Sequence, residues 1–219
     1  MEVNSETDFV AKDENFVAFA EAVAALALSS GTTDVAALSS AKMSDGSTVE
    51  EARTELIQKV GENIGVRRIE AVSADGVLAS YSHGARIGVV VALEGGDEDL
   101  ARDVAMHVAA MNPQYVSEAD VPAETLENER RILTEQAQDS GKPAEIIEKM
   151  VTGRVNKFLK EITLLGQPFV KDDSLTVGKL LNGAGASIAA CVRFEVGEGI
   201  EKKADNFVEE VMAQVKGAG

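Results

Sequence analysis

The sequence predicts an α+β fold, and three observations carry the prediction. Helical and strand periodicities both occur, in short alternating segments. An Asp75-Gly76 hairpin signal stands between two of the strand patterns, which makes the sheet antiparallel. Further along, two long charged helical patterns are separated only by a tight turn, so they form an antiparallel pair.

The elements follow in chain order. Met1-Glu2-Val3 reads as the tail of a strand, which gives the expectation that the chain is truncated at its N-terminus. Residues 14–28 form a helix, since Phe16, Phe19, Ala20 and Val23 recur at helical spacing. Asp13 is its expected N-cap, and Glu14 sits well at the positive helix end. A short helix over 34–41 closes on the Asp45-Gly46-Ser47 turn, and an amphipathic helix over 48–60 turns Leu56, Ile57 and Val60 inward. Val66–Ala74 and Val77–His83 read as strands joined at Asp75-Gly76, with Arg86–Glu94 as a third. Asp97 opens a helix to Met111, stopped by Asn112-Pro113. Glu124–Gln138 and Ala144–Lys160 are the paired helices, turned by Asp139-Ser140-Gly141-Lys142-Pro143. Charged over most of their surface, they can bury little in a domain core. They are expected to project, and a pairing surface for a second copy is one use of such an arm. Lys179–Asn182 suggests a short helix, Ser187–Val196 a strand and Asp205–Val215 a last helix. A strand, acidic loop and Ala/Val helix recur three times, in Glu2–Ala27, Val89–Ala110 and Val192–Val215, a weak sign of duplication.

Composition narrows the function classes. With 219 residues, 45% of them hydrophobic, the chain can build a sizeable core. Its net charge of -16 argues against nucleic-acid binding, which needs clustered Lys and Arg. The single cysteine, Cys191, lies in an apolar run and reads as a buried structural thiol in a reducing compartment. There is no membrane-length apolar run and no signal-peptide pattern, so a cytoplasmic location with no membrane partner is expected.

The catalytic inventory is thin. His107 lies on a helix among Ala and Val and reads as structural. His83, at a strand end beside Gly84, is the expected exposed histidine, and a role as a base or pH switch stays open. No histidine pair or cysteine spacing suits a metal, no nucleotide or nucleophile motif is present, and Gly183-x-Gly185 lacks the context of a dinucleotide fingerprint. No cofactor and no covalent chemistry are expected. An assembly protein acting through its helical hairpin is the rival reading, and a small enzyme using His83 as base is a second.

One segment stands apart: Thr7-Asp8-Phe9-Val10-Ala11-Lys12-Asp13, a ring between an acid and a lysine in the loop between a strand and a helix. Phe9 is either tucked back as a local staple or presented to a partner. The local chemistry by itself favours the staple, since single apolar residues on surfaces are ordinary.

This segment resembles the signature of the elongation factor Ts family, the guanine-nucleotide exchange factors of bacterial translation. Six more blocks follow in that family's order. They are Val60-Gly61-Glu62-Asn63-Ile64 with Arg67-Arg68, Ser80–Gly88, Met106–Ala110, Ser140–Pro143, Gly166-Gln167-Pro168-Phe169-Val170, and Arg193–Ile200. The resemblance implies two related subdomains with antiparallel sheets and packed helices, an inserted antiparallel helical hairpin and a C-terminal helix. On that basis residues 1–112 hold the N-terminal core subdomain and the start of the C-terminal one, and 113–122 are a linker. Residues 123–162 are the hairpin, 163–200 complete the C-terminal subdomain and 201–219 are the C-terminal module. The implied partner is elongation factor Tu, from which GDP and magnesium would be released. Asp8 and Phe9 would be the wedge into its G domain, dislodging magnesium, with Thr7 and Val10 beside them. Val60 and Gly61 would make a neighbouring contact, His83 a third near the phosphate loop, and Phe169 and Val170 one to the third Tu domain. Two departures are visible: the family's N-terminal helical module is not found, which implies weaker binding, and Ser5 stands where relatives often carry Cys.

Overall fold

The structure, a computed structural model, describes residues 1–138 and 141–200. The expected last helix, Asp205–Val215, lies outside the described residues, as do Asp139 and Ser140 of the expected turn.

The first unit is built by local signals. Strand β1 (Glu2–Asn4) leads through a 3-10 turn at Val10–Lys12 into helix α1 (Glu14–Ser30). The Asp13 carboxylate accepts from the Asn15 and Phe16 backbone N–H groups, satisfying two donors that the helix start leaves open. Helix α2 (Val35–Ser39) is capped by Asp34 in the same way. Helix α3 (Val49–Val60) starts on a reciprocal capping box between Thr48 and Glu51. Buried Phe16, Phe19 and Val23 of α1 meet Leu38, Val49, Leu56 and Ile64 in one apolar core. Strand β2 (Gly65–Arg68) returns antiparallel to β1, with Glu2 opposite Arg68 and Asn4 opposite Gly65.

Here the chain departs from the sequence reading. The strand expected over Val66–Ala74 ends at Arg68, and residues 69–76 are irregular. Nor does Asp75-Gly76 make a hairpin, since β2 pairs with β1 instead of the next strand. Gly76 serves a close approach: a Cβ there would lie 2.1 Å from the Leu93 carbonyl oxygen. The hairpin is one strand later, where β3 (Val77–His83) turns through Gly84-Ala85-Arg86 into β4 (Ile87–Glu94).

Strand β4 is the centre of a three-stranded antiparallel sheet of order β3-β4-β7, where β7 is Ser187–Glu195. Helix α4 (Glu98–Met111), capped by Asp97, packs on it through Ala101, Val104, Ala105 and Val108, against Val89, Val91 and Leu93. Asn112 ends the helix in the left-handed region. A small ribbon that the sequence did not signal, β5 (Pro168–Phe169) with β6 (Asp172–Thr176), leads into helix α7 (Val177–Gly183). Asp172-Asp173-Ser174 has poor strand propensity, so the segment carries no strand signal of its own.

Helices α5 (Ala123–Gln138) and α6 (Ala144–Ile162) form the inserted hairpin, with an apolar seam of their own in Leu133, Ala137, Val151, Val155 and Leu159. Its two ends are tied at the base. Leu164 N–H donates to the Tyr115 carbonyl at 2.8 Å and Leu165 N–H to that of Val116 at 3.0 Å.

A buried acid joins the first unit to the end of β7. The Glu2 side chain is almost wholly buried, and accepts from Arg67, Arg68 and the Gly197 N–H. Arg68 also reaches Glu198 at 3.3 Å and lies over the Phe194 ring, 4.2 Å from its centre. Burial works to raise the Glu2 pKa, but the Gly197 N–H and the two guanidiniums outweigh it and hold the carboxyl below its usual range.

Candidate partner-binding site

The loop after β1 is held from behind and presents two side chains outward. Val10 is buried in the first unit's core, while Thr7 and Asp8 are exposed. Phe9 is 88% exposed, so the staple alternative does not hold. A ring this open, on a short tightly bonded turn, has little packing of its own to lose on entering a partner. The turn is closed by Ala11 N–H to the Thr7 carbonyl at 3.2 Å, Lys12 N–H to Phe9 at 3.1 Å and Asp13 N–H to Val10 at 2.9 Å.

The end of α3 lies beside this loop. Gly61 takes the left-handed backbone (φ 76°) that stops the helix, and its N–H donates to Ile57 at 2.8 Å. The next residue, Glu62, bonds Thr7 with both carboxylate oxygens: Thr7 N–H donates at 2.9 Å and Thr7 Oγ1 at 2.6 Å. Val60 is half-buried and packs on the core, while Gly61 is exposed. The structure thus brings Thr7, Asp8, Phe9 and Gly61 into one surface region, with half-buried Val60 at its edge and Val10 anchored in the core beneath it.

The other expected residues lie on the second unit. His83 is exposed at the β3 end, its Nδ1 3.3 Å from the Tyr81 hydroxyl, with the two rings stacked. Phe169 is buried, its ring 5.9 Å from that of His107. Val170 at the same turn is 45% exposed. Of this pair, only Val170 exposes its side chain, while Phe169 anchors the turn in the core.

His107 is buried and structural. Gln167 donates its amide N–H to the Glu161 carbonyl at 2.7 Å, which turns its Oε1 toward His107 Nε2 at 2.9 Å. His107 Nδ1 accepts the Val170 N–H at 3.2 Å. The pattern requires a neutral ring protonated on Nε2. Burial, opposed by the Gln167 bond, lowers the pKa of this ring. Cys191 is half-buried, and burial raises its thiol pKa to about 11, far from a reactive thiolate.

Comparison with known proteins decides what this surface belongs to. A family model described as elongation factor TS matches residues 6–198, nearly the whole described chain. The chain belongs to the elongation factor Ts family. Among curated members, it is 62% identical over 220 residues to elongation factor Ts of Thioalkalivibrio sulfidiphilus, covering all of this chain and 75% of that one. It is 60% identical over 216 residues to the Legionella pneumophila (strain Lens) protein, covering 99% and 74%. The Alcanivorax borkumensis protein is 58% identical over 217 residues, covering 99% and 76%.

Two residues of the chain matter more in the structure than their sequence context suggests. Glu2 reads as an ordinary strand-end acid, and its partners Arg67 and Arg68 lie 65 and 66 positions away. Glu62 directly follows Val60 and Gly61 in the same sequence block. The signal for it was its place directly after a helix-ending glycine, where a side chain turns back over the preceding fold.

Among the described residues, no helix is long and apolar enough to cross a membrane.

Proposed function

We propose that this chain is a guanine-nucleotide exchange factor that binds elongation factor Tu with GDP bound and promotes release of GDP and magnesium. The observation that carries the reading is Phe9, 88% exposed beside exposed Asp8 on a turn fixed by its own hydrogen bonds, in a member of the elongation factor Ts family. Asp8 and Phe9 form the wedge. Thr7, Val10, Val60 and Gly61 shape and flank it. His83 and Val170 make separate contacts from the second unit.

The mechanism is differential binding. An exchange factor speeds release only if it holds the nucleotide-free partner more tightly than the nucleotide-bound one. Burying a phenylalanine ring is worth about 1.5–3 kcal/mol, and a tenfold shift needs about 1.4 kcal/mol. One wedge therefore supplies roughly one to two decades of the shift, and the flanking contacts supply the rest. The Asp8 carboxylate adds repulsion toward phosphate, or draws on magnesium-bound water. The chain performs no covalent step and needs no cofactor of its own.

Pull-down of purified elongation factor Tu, followed by release of a fluorescent GDP, tests the proposal. Capture with faster release is expected. A captured partner with unchanged release would leave the binding reading and remove the exchange reading. It would favour the rival in which the α5–α6 hairpin serves assembly, including pairing of two copies.

A further inference from the structure

Resting on the exchange reading, we propose that Glu62 is a positioning residue for the Asp8–Phe9 wedge: it fixes the loop through Thr7 without itself touching the partner. The hydrogen bonds supply the argument. Within the described residues, the loop 6–12 makes two side-chain-mediated bonds to distant sequence, and both run from Thr7 to Glu62, 55 positions away. Both Thr7 donors are used, the backbone N–H at 2.9 Å and the hydroxyl at 2.6 Å, each on its own carboxylate oxygen. The same hydroxyl accepts the Val10 N–H at 3.4 Å, and the Thr7 carbonyl accepts from Ala11 at 3.2 Å. Thr7 is thus the node through which Glu62 is coupled to both ends of the turn that carries Phe9.

The chemistry suits that role. A carboxylate accepting from two donors of one residue fixes an orientation as well as a distance, and charge-assisted bonds are the stronger class. The loop needs such a fixture because Phe9, 88% exposed, has little packing of its own to hold it, and the loop meets the core only through Val10 and half-buried Ala11. Gly61 explains why the acid stands there. Its left-handed backbone ends α3 and directs the next residue back toward β1 and its loop. An L-residue at 61 would be strained in that conformation, so the glycine serves Glu62 as much as any contact of its own.

A positioning role differs from a contact role in what it does to the partner pair. If Glu62 acts only through Thr7, Glu62→Ala removes both bonds at once, Thr7→Val removes the hydroxyl bond and leaves the backbone one, and the double variant is no worse than Glu62→Ala alone. The experiment measures release of fluorescent GDP from elongation factor Tu across a range of factor concentrations, for the parent chain, Glu62→Ala, Glu62→Gln, Thr7→Val, Thr7→Ser and the Glu62→Ala/Thr7→Val pair. Amide hydrogen exchange over residues 6–12 is followed in the free chains. Glu62→Ala is expected to lower kcat/KM for release by about tenfold, the size of a lost charge-assisted bond, and Thr7→Val, which keeps the backbone N–H bond, by less. The pair should lose no more than Glu62→Ala alone, not the product of the two losses. Thr7→Ser, which keeps both donors, should recover most of the release that Thr7→Val loses. Amide exchange should quicken over 6–12 in Glu62→Ala and nowhere else, while thermal unfolding stays cooperative.

Full additivity of the two losses would overturn the role, since Glu62 would then act on the partner directly. Parent-like release by Glu62→Ala, when Phe9→Ala is impaired, would overturn it and leave the wedge standing. Parent-like release by Phe9→Ala would remove the exchange wedge and this role with it. If Glu62→Ala fails to fold, Glu62→Gln and Thr7→Val carry the same comparison, and loss of the fold in Thr7→Val as well would make the contact structural and overturn the proposal.

Discussion

Truncating Phe9 to alanine tests the wedge at its tip. In the free chain the ring is 88% exposed and belongs to no apolar core, so Phe9→Ala removes nothing that stabilises the fold. What the ring can lose is the burial it gains in a partner. Full burial of a phenylalanine is worth about 1.5–3 kcal/mol, or roughly 10- to 150-fold in kcat/KM at about 1.4 kcal/mol per decade. The expected result is at least a tenfold loss (about 1.4 kcal/mol) in release of fluorescent GDP from elongation factor Tu, read by stopped flow, with native circular dichroism and an unchanged melting temperature. Phe16→Ala is the internal contrast. Phe16 is buried in the first core, where such a truncation is worth about 3–5 kcal/mol of stability. Release by Phe9→Ala at the parent rate, with the fold intact, would refute the reasoning, because the most exposed large ring on this surface would then do nothing.

Further outcomes follow from the packing. Deleting residues 124–161 and bridging the ends with a short linker should leave a cooperatively melting core, because the base is already tied by Leu164 N–H to Tyr115 and Leu165 N–H to Val116. An unfolded product in circular dichroism would make the hairpin part of the core. Gly76→Ala should destabilise the chain by at least about 2 kcal/mol in urea unfolding, since its Cβ would meet the Leu93 carbonyl at 2.1 Å. Parent-like stability would contradict the close approach. The folded pKa of His107 is lowered, so its stabilising contribution is complete above the unfolded value of about 6.5 and is lost as pH falls through the folded one. Nitrogen NMR should show the Nε2-protonated neutral ring at pH 7, and a charged ring there would refute the assignment. Glu2 is held below its usual range, so its contribution is complete above about pH 4.3 and lost on further acidification. Glu2→Gln should flatten that acid limb, and an unaltered limb would show that the Glu2 cluster does not carry it.

What the sequence revealed was what local chemistry decides. The Asp13 cap and the Asn112 stop are signals within four residues of the helix ends they set, and each is realised. The charged hairpin was legible for the same reason, as two long patterns and a turn. The Asp75-Gly76 signal misled because a dipeptide carries no record of which strand will lie beside it. There the glycine answers to Leu93, seventeen residues on. Exposure of Phe9 was not legible either, since an outward and a tucked ring have the same neighbours in sequence. The fixtures around the site were the least visible of all. Thr7 with Glu62, Glu2 with Arg67 and Arg68, and His107 with Gln167 are pairs 55 to 66 residues apart. Nothing in either segment alone announces the other. The target of the surface came from resemblance, and comparison with known proteins then showed the family.

The most direct test of the central claim is the rate of fluorescent GDP release from purified elongation factor Tu, with and without this chain at saturating concentration. The account expects release to accelerate with added chain. A rate that stays at the partner's intrinsic value while the added chain retains its native circular dichroism would contradict it.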